Sequence, residues 1–177
     1  MVWVRSEYAG ELAVLATWLS ALLPWSASGI QATISGQQVT VINIRFILLQ
    51  FHYVFGISFA EQSIGEMIAL VHEIPSVWLF GGTRVPGNQN FEATIWLGGA
   101  VLYLGLLGFS VAYYAREDAV TEHLQVDPVR LIGAWLAVIA LVFSAVFALI
   151  RVHQFTIPVG VLFLWVFAFL LLGVDRS

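Results

Sequence analysis

The sequence predicts an all-α membrane bundle of four transmembrane helices, with a small extracytoplasmic β-plus-helix cap inserted between helices 1 and 2. Three observations predict it. The 177 residues are 60% hydrophobic and only 10% charged, against about 25% charged in an ordinary soluble domain. Mean hydropathy is +0.90. Uncharged apolar runs at 12–30, 93–115, 131–150 and 155–174 each approach the roughly 20 residues that a bilayer core requires.

The first run, "LAVLATWLSALLPWSASGI", predicts a helix over about 9–30. Its "SAS" at 26–28 resembles the site after a signal peptide. However, Glu7 and Glu11 stand where a basic leader should be, so the helix is read as retained. The cap follows over 31–91. "IQATI", "SGQQ" and "VTVINIRF" read as strand, glycine-containing turn and strand, and "FHYVFGISF" is equally strand-like. In "EQSIGEMIALVHEIP", Ile64, Met67, Ile68 and Val71 take amphipathic spacing, which predicts a helix ended by Pro75. Loop residues then run to Asn90.

The second helix is expected over 93–115. An acidic connector with Glu117, Asp118, Glu122 and Asp127 precedes a third over 129–151, where Asp127 is the expected N-cap and Pro128 the first-turn proline. Only "RVHQ" separates the third apolar run, 131–150, from the fourth, 155–174, which predicts an antiparallel hairpin. Small residues mark expected packing seams. They are Ala9, Ala13, Ala16 and Ser20 in the first helix, and Gly98, Gly105 and Ala112 in the second. In the third they are Gly133, Ala137, Ala140, Ser144 and Ala148. Several of the seven tryptophans fall near predicted helix ends, where interfacial anchoring is expected.

Residues 41–56, "VINIRFILLQFHYVFG", could in principle add a fifth span. That would bury Arg45 at a cost of about 2.5–3.5 kcal/mol on insertion scales. A helix would also throw Asn43 and Gln50 to one face and Arg45 and His52 to the other, so no single polar pathway forms. Arginine placement agrees. With four spans, Arg5, Arg116, Arg130 and Arg176 lie on the cytoplasmic side with both termini, as the positive-inside rule favours. This predicts a multi-pass plasma-membrane protein with the cap outside.

Little in the sequence points to catalysis. There is no cysteine, which removes thiolate ligands, disulfides and cysteine nucleophiles. The net charge is −4 and every basic residue is arginine, so nucleic acid is an unsuitable partner. His52, His72, His123 and His153 show no metal-ligand spacing. The membrane runs hold no ionisable Asp, Glu, Lys, Arg or His, which disfavours a pump. No cofactor and no catalytic or metal-ligating residue is expected. Candidate partner-binding residues are Arg45, Phe51, His52, Tyr53 and Arg84, because aromatic and arginine side chains dominate interfaces. Arg151 and His153, in the tight hairpin turn, are candidates for lipid or headgroup contact.

The N-terminal "MVWVRSEYAGELAVLATWLSALLPWS" and the aromatic "RFILLQFHYVFGISFA" resemble an uncharacterised family of small integral membrane proteins from halophilic archaea. The resemblance implies an archaeal membrane and a salty exterior, matching the acidic, lysine-free composition, and it supplies no activity or site residue. The expected function is therefore that of a non-enzymatic membrane component binding a partner or envelope element through its outer cap. Two alternatives stand beside it. One is a small transporter or channel subunit with Arg45 and His52 in the membrane. The other is a membrane enzyme with an outer-surface site around His52, His72 and His153.

Overall fold

A computed structural model describes residues 8–34, 37–47, 49–55, 58–59, 62–63, 66–70, 89–149 and 155–174. Five helices occur among them: α1 (Ala9–Leu22), α2 (Gln89–Ala115), α3 (Glu117–His123), α4 (Pro128–Leu149) and α5 (Val159–Leu172). The strands are β1 (Ser26–Ile34), β2 (Gln37–Arg45), β3 (Leu49–Phe55), β4 (Ser58–Phe59), β5 (Gln62–Ser63), β6 (Glu66–Leu70) and β7 (Phe155–Ile157). Helix α4 packs on α2 and α5, and α1 lies against all three.

This is not the predicted bundle of four transmembrane helices. Among the described residues, only α2 and α4 hold stretches long and apolar enough to cross a membrane, Trp96–Ala115 and Pro128–Ala145. At 14 residues each, α1 and α5 reach about 21 Å, short of a hydrocarbon core of about 30 Å. Both were overestimated at the sheet side. After Leu22 the chain turns extended at Leu23 (ψ 142°). Pro24, which cannot donate a helical hydrogen bond, follows, and the serines beyond it enter β1. At the other junction Phe155–Ile157 is strand and helix begins only after Pro158.

The strand expected over 30–34 falls within β1; of that expected over 39–46, residues 39–45 lie in β2, and of that over 51–59, residues 51–55 lie in β3 and 58–59 in β4. The cap helix does not form where the chain is described. Glu66–Leu70 is β6, paired antiparallel with β3 from Leu49↔Leu70 to Tyr53↔Glu66. Five residues are too few for periodicity to separate helix from strand, and an open β3 edge supplied the partner. The main sheet is antiparallel, with strand order β6-β3-β2-β1-β7, and β4 pairs β5 separately. Because β7 precedes α5 and pairs with β1 at Ala27↔Ile157, Ser28↔Thr156 and Gly29↔Phe155, the sheet is more than an insertion between two helices.

The helix seams follow the expected small residues in part. Ala9, Ala13, Ala16 and Ser20 are buried, and Gly133 and Ala140 face inward. A Cβ on Gly133 would stand 3.0 Å from Leu171 Cβ and 3.2 Å from the Leu172 amide, so glycine there sets the approach of α4 to α5. In α2 Gly98, Gly105 and Ala112 are exposed, and of the two glycines only Gly105 approaches a neighbouring helix, where a Cβ would stand 3.3 Å from Trp135 Cζ2 of α4. The inner face is instead Trp96, Ala100, Tyr103, Leu106, Ser110 and Tyr113. Asp127 caps α4 as expected, its Oδ1 accepting from the Val129 amide at 3.1 Å.

Two tryptophans are core rather than anchors. Trp25 is fully buried, and its ring meets Phe143 at 4.3 Å, Tyr103 at 5.1 Å and Trp96 at 6.1 Å between centroids. Trp96 also meets Phe143 at 4.8 Å. This aromatic cluster fills the end of the bundle beneath the sheet.

Candidate binding site at the junction of sheet and helices

Three hydrogen bonds fasten the start of the sheet to the helices. The Trp25 indole N–H donates to the Ser20 carbonyl at 3.0 Å. The Trp25 amide donates to the Arg45 carbonyl at 2.6 Å, and the Gly160 amide donates to the Trp25 carbonyl at 3.2 Å. Trp25 therefore ties α1, the β1–β2 ladder and α5 together at one residue.

From this anchor the register dictates the faces. Directly opposed residues in an antiparallel pair project to the same side, and alternate residues to opposite sides. Ser26↔Arg45 and Ser28↔Asn43 therefore share one face. All four are buried, at 0%, 9%, 5% and 5% exposure in the order Ser26, Arg45, Ser28 and Asn43. The hydroxyl oxygens of Ser26 and Ser28 have no hydrogen-bond partner, and neither has the buried Trp96 indole nitrogen. Burial lowers Arg45 from the usual 12.5 to about 10, because a charge removed from water is disfavoured. It remains a cation at neutral pH.

The opposite face carries Gln31, Thr33, Gln38, Thr40, Ile42 and Ile44, followed on β3 by Phe51, Tyr53 and Phe55. Gln31, Thr33, Gln38, Ile42 and Phe55 are exposed, and Phe51 and Tyr53 are half-buried. Phe46, in the turn between β2 and β3, packs edge-on to Phe51 at 5.7 Å.

The sequence-derived partner set is thus divided. Phe51 and Tyr53 stand together on the outer face, whereas Arg45 turns to the buried one. Position 52 lies opposite Asn43 in the register. Arg84, Arg151 and His153 lie outside the described residues, as does His72. Strand geometry over 37–45 and 49–55 also replaces the fifth helix that the transporter alternative required. His123 lies in α3, and its Nδ1 is 2.8 Å from the Ala119 carbonyl. Among the described residues, no group of three or more His, Asp or Glu is placed to hold a metal ion.

Sequence reasoning missed Ser26 and Ser28, having assigned them to a helix. Alternation of small polar with apolar residues in "SASGIQATI" was the available signal. A second feature lies beyond α3, where a hollow of about 370 Å³ is lined by Thr121, Leu124, Gln125, Val126, Asp127, Pro128 and Arg130. It is open, and its walls are the end of α3, the connector after it and the first turn of α4.

Over residues 2–176 the chain matches DUF7549, a family of unknown function, and it belongs to that family. It is also similar to a heme A synthase from Bradyrhizobium sp. (strain ORS 278), with 27% identity over 109 residues. That match takes in 62% of this chain and spans 28% of the relative's length.

Proposed function

We propose that the protein is a membrane-embedded binding component. Its helices lie in the bilayer, crossed by α2 and α4, and the outer face of its sheet receives a protein partner beyond the membrane. One observation carries the reading: the outward faces of the helices are as apolar as the inward ones. Val101 and Leu104 on α2, Val138 and Leu141 on α4, and Leu162, Val166 and Phe169 on α5 are all exposed. A helix at a water-facing surface would place polar residues there, and lipid is the solvent that accepts such a surface.

Orientation follows from charge. Arg116 and Arg130 flank the connector at the end of the bundle away from the sheet, and arginines close to the ends of spans favour the cytoplasmic side whatever acidic residues accompany them. The sheet is therefore outside. There, Ile42, Phe51, Tyr53 and Phe55, bordered by Gln31, Thr33 and Gln38, form an aromatic centre with a polar rim, the composition typical of protein interfaces.

The name of the bacterial relative raises a haem-handling alternative. Axial haem donors are His, Cys, Met or Tyr. Helices α1, α2, α4 and α5 contain no His, Cys or Met. Buried Tyr103 is engaged with Ser20 Oγ and the Thr17 carbonyl, and Tyr113 donates to Glu117 Oε1 at 2.9 Å. Tyr114, the third tyrosine of these helices, faces outward with its ring against Trp18, so the bundle encloses no donor set that fits haem.

The absence of cysteine makes the test direct. Single cysteines at Val101, Val166, Gln31 and Gln38 are exposed to a membrane-impermeant maleimide in intact cells, then again after detergent. Labelling of positions 31 and 38 in cells, with 101 and 166 protected, is the expected pattern. Equal labelling of all four in cells removes the proposal.

A further inference from the structure

We infer that the buried polar end of the sheet, formed by Ser26, Ser28, Asn43 and Arg45, binds an oxyanion, a phosphate group carried by a lipid headgroup or free in solution. The register sets these side chains as a two-by-two block, Ser26 across from Arg45 and Ser28 across from Asn43, with opposed Cβ atoms about 4.5–5.5 Å apart. Each is more than nine-tenths buried. Packing alone would be served by alanine at positions 26 and 28. Instead both carry hydroxyls that no protein group satisfies, a costly arrangement unless something else accepts from them.

The chemistry of the block selects the ligand. Arginine offers only donors and serine hydroxyls can donate, so the block suits an acceptor-rich, negatively charged group, and guanidinium binds phosphate oxygens well. Its place in the fold agrees. Ser26 follows Trp25, whose backbone is bonded to α5, so the block sits where the sheet leaves the helices. That is headgroup depth if the helices lie in a bilayer, and to this extent the lipid source rests on the function proposed above. The unpartnered Trp96 indole belongs to the same junction, its ring centroid 6.1 Å from that of Trp25.

The test uses the full chain purified in a mild non-ionic detergent. Inorganic phosphate and short-chain phosphatidylglycerol are titrated separately into wild type and the Ser26→Ala/Ser28→Ala variant, with binding read by calorimetry. The expected result is binding of one probe by wild type and at least a roughly tenfold weaker affinity in the variant, about 1.4 kcal/mol. Whichever probe binds identifies the source. The variant's melting temperature, expected at or above that of wild type, separates lost binding from lost fold. If the double variant does not fold, Ser28→Ala alone replaces it under the same criterion. Failure of both probes to bind wild type, or unchanged affinity in the variant, overturns the inference. The outcome is distinguishable from failure of the membrane reading, because free phosphate binding requires no bilayer and maleimide protection requires no ligand.

Discussion

Replacing Gly160 with alanine tests the junction most directly. A Cβ at this position would lie 2.6 Å from Trp25 Cα, 3.0 Å from Trp25 Cδ1 and 3.1 Å from the Pro24 carbonyl oxygen. Two of those three atoms are backbone, so no rotamer change relieves the overlap. Helix α5 must draw back from residues 24 and 25, stretching the 3.2 Å bond from the Gly160 amide to the Trp25 carbonyl. Overpacking of this kind costs about 1–3 kcal/mol, and weakening the hydrogen bond adds about 0.5–1.5 kcal/mol. Alanine's better helix propensity returns at most about 1 kcal/mol. The net expectation is a loss of about 1–3 kcal/mol. Gly108→Ala is the internal control, because Gly108 is exposed on α2 and a Cβ there meets nothing within 4 Å. That variant should gain up to about 1 kcal/mol. Equilibrium unfolding in mixed micelles, followed by tryptophan emission, measures both. If the two variants agree within about 0.5 kcal/mol, inside ordinary surface variation, the close approach of α5 to Trp25 is refuted.

Other residues give independent checks by the same unfolding assay. Trp25→Ala empties the centre of the aromatic cluster and should cost about 3–5 kcal/mol. Tyr103→Phe removes a hydroxyl bonded to Ser20 Oγ at 2.8 Å and to the Thr17 carbonyl, an expected loss of about 0.5–1.5 kcal/mol. A double-mutant cycle of Trp165→Phe with Ser144→Ala should give a coupling of about 0.5–1.5 kcal/mol, since the indole N–H donates to Ser144 Oγ at 3.1 Å between α5 and α4. Arg45 has its pKa lowered to about 10 from 12.5 by burial, so the unfolded chain binds its proton more firmly. Its contribution makes stability rise with pH only between those two values and is flat below them. Arg45→Gln should therefore leave the slope of stability between about pH 6 and 9 unchanged.

What the sequence made legible was whatever local pattern alone decides. The β-branched run in "VTVINIRF" is strand, Asp127 caps α4, and the Ala9, Ala13, Ala16 and Ser20 row is buried. What it concealed depended on partners far along the chain. Ser26–Ile30 reads as the tail of an apolar helix until Phe155–Ile157 and β2 are there to pair with β1. Glu66–Leu70 has helical spacing but finds β3. Small residues in α2 suggested a seam, yet Trp96, Tyr103 and Tyr113 turned inward because their rings could be packed there, with the two tyrosine hydroxyls bonded to Ser20 and Glu117. The candidate site was partly visible. Arg45, Phe51 and Tyr53 were identified as residue types, but only the register of β2 with its neighbours assigns them to opposite faces.

That division changes which experiment can address partner binding. Had residues 31–91 been a free-standing cap, deleting them would remove a binding surface and leave the helices intact. The sheet is instead built on β1, whose first residues lie outside that segment and whose outer edge is paired to β7 from beyond α4. Deletion would leave Ser26 and Ser28 without β2, and would free the Trp25 amide from the Arg45 carbonyl. A lost partner in such a variant would report a damaged junction as readily as a missing interface. Point changes on the outer face avoid this. Phe55→Ser alters an exposed ring at the far end of β3, opposite Thr40 and distant in register from Arg45. Truncating an exposed aromatic should change stability by no more than about 0.5 kcal/mol. If it contributes to the interface it should weaken capture of a crosslinked partner by about tenfold or more, the scale of a single aromatic contact. Undiminished capture would exclude Phe55 from the interface, and the same result at Tyr53 would remove the outer face as the binding surface.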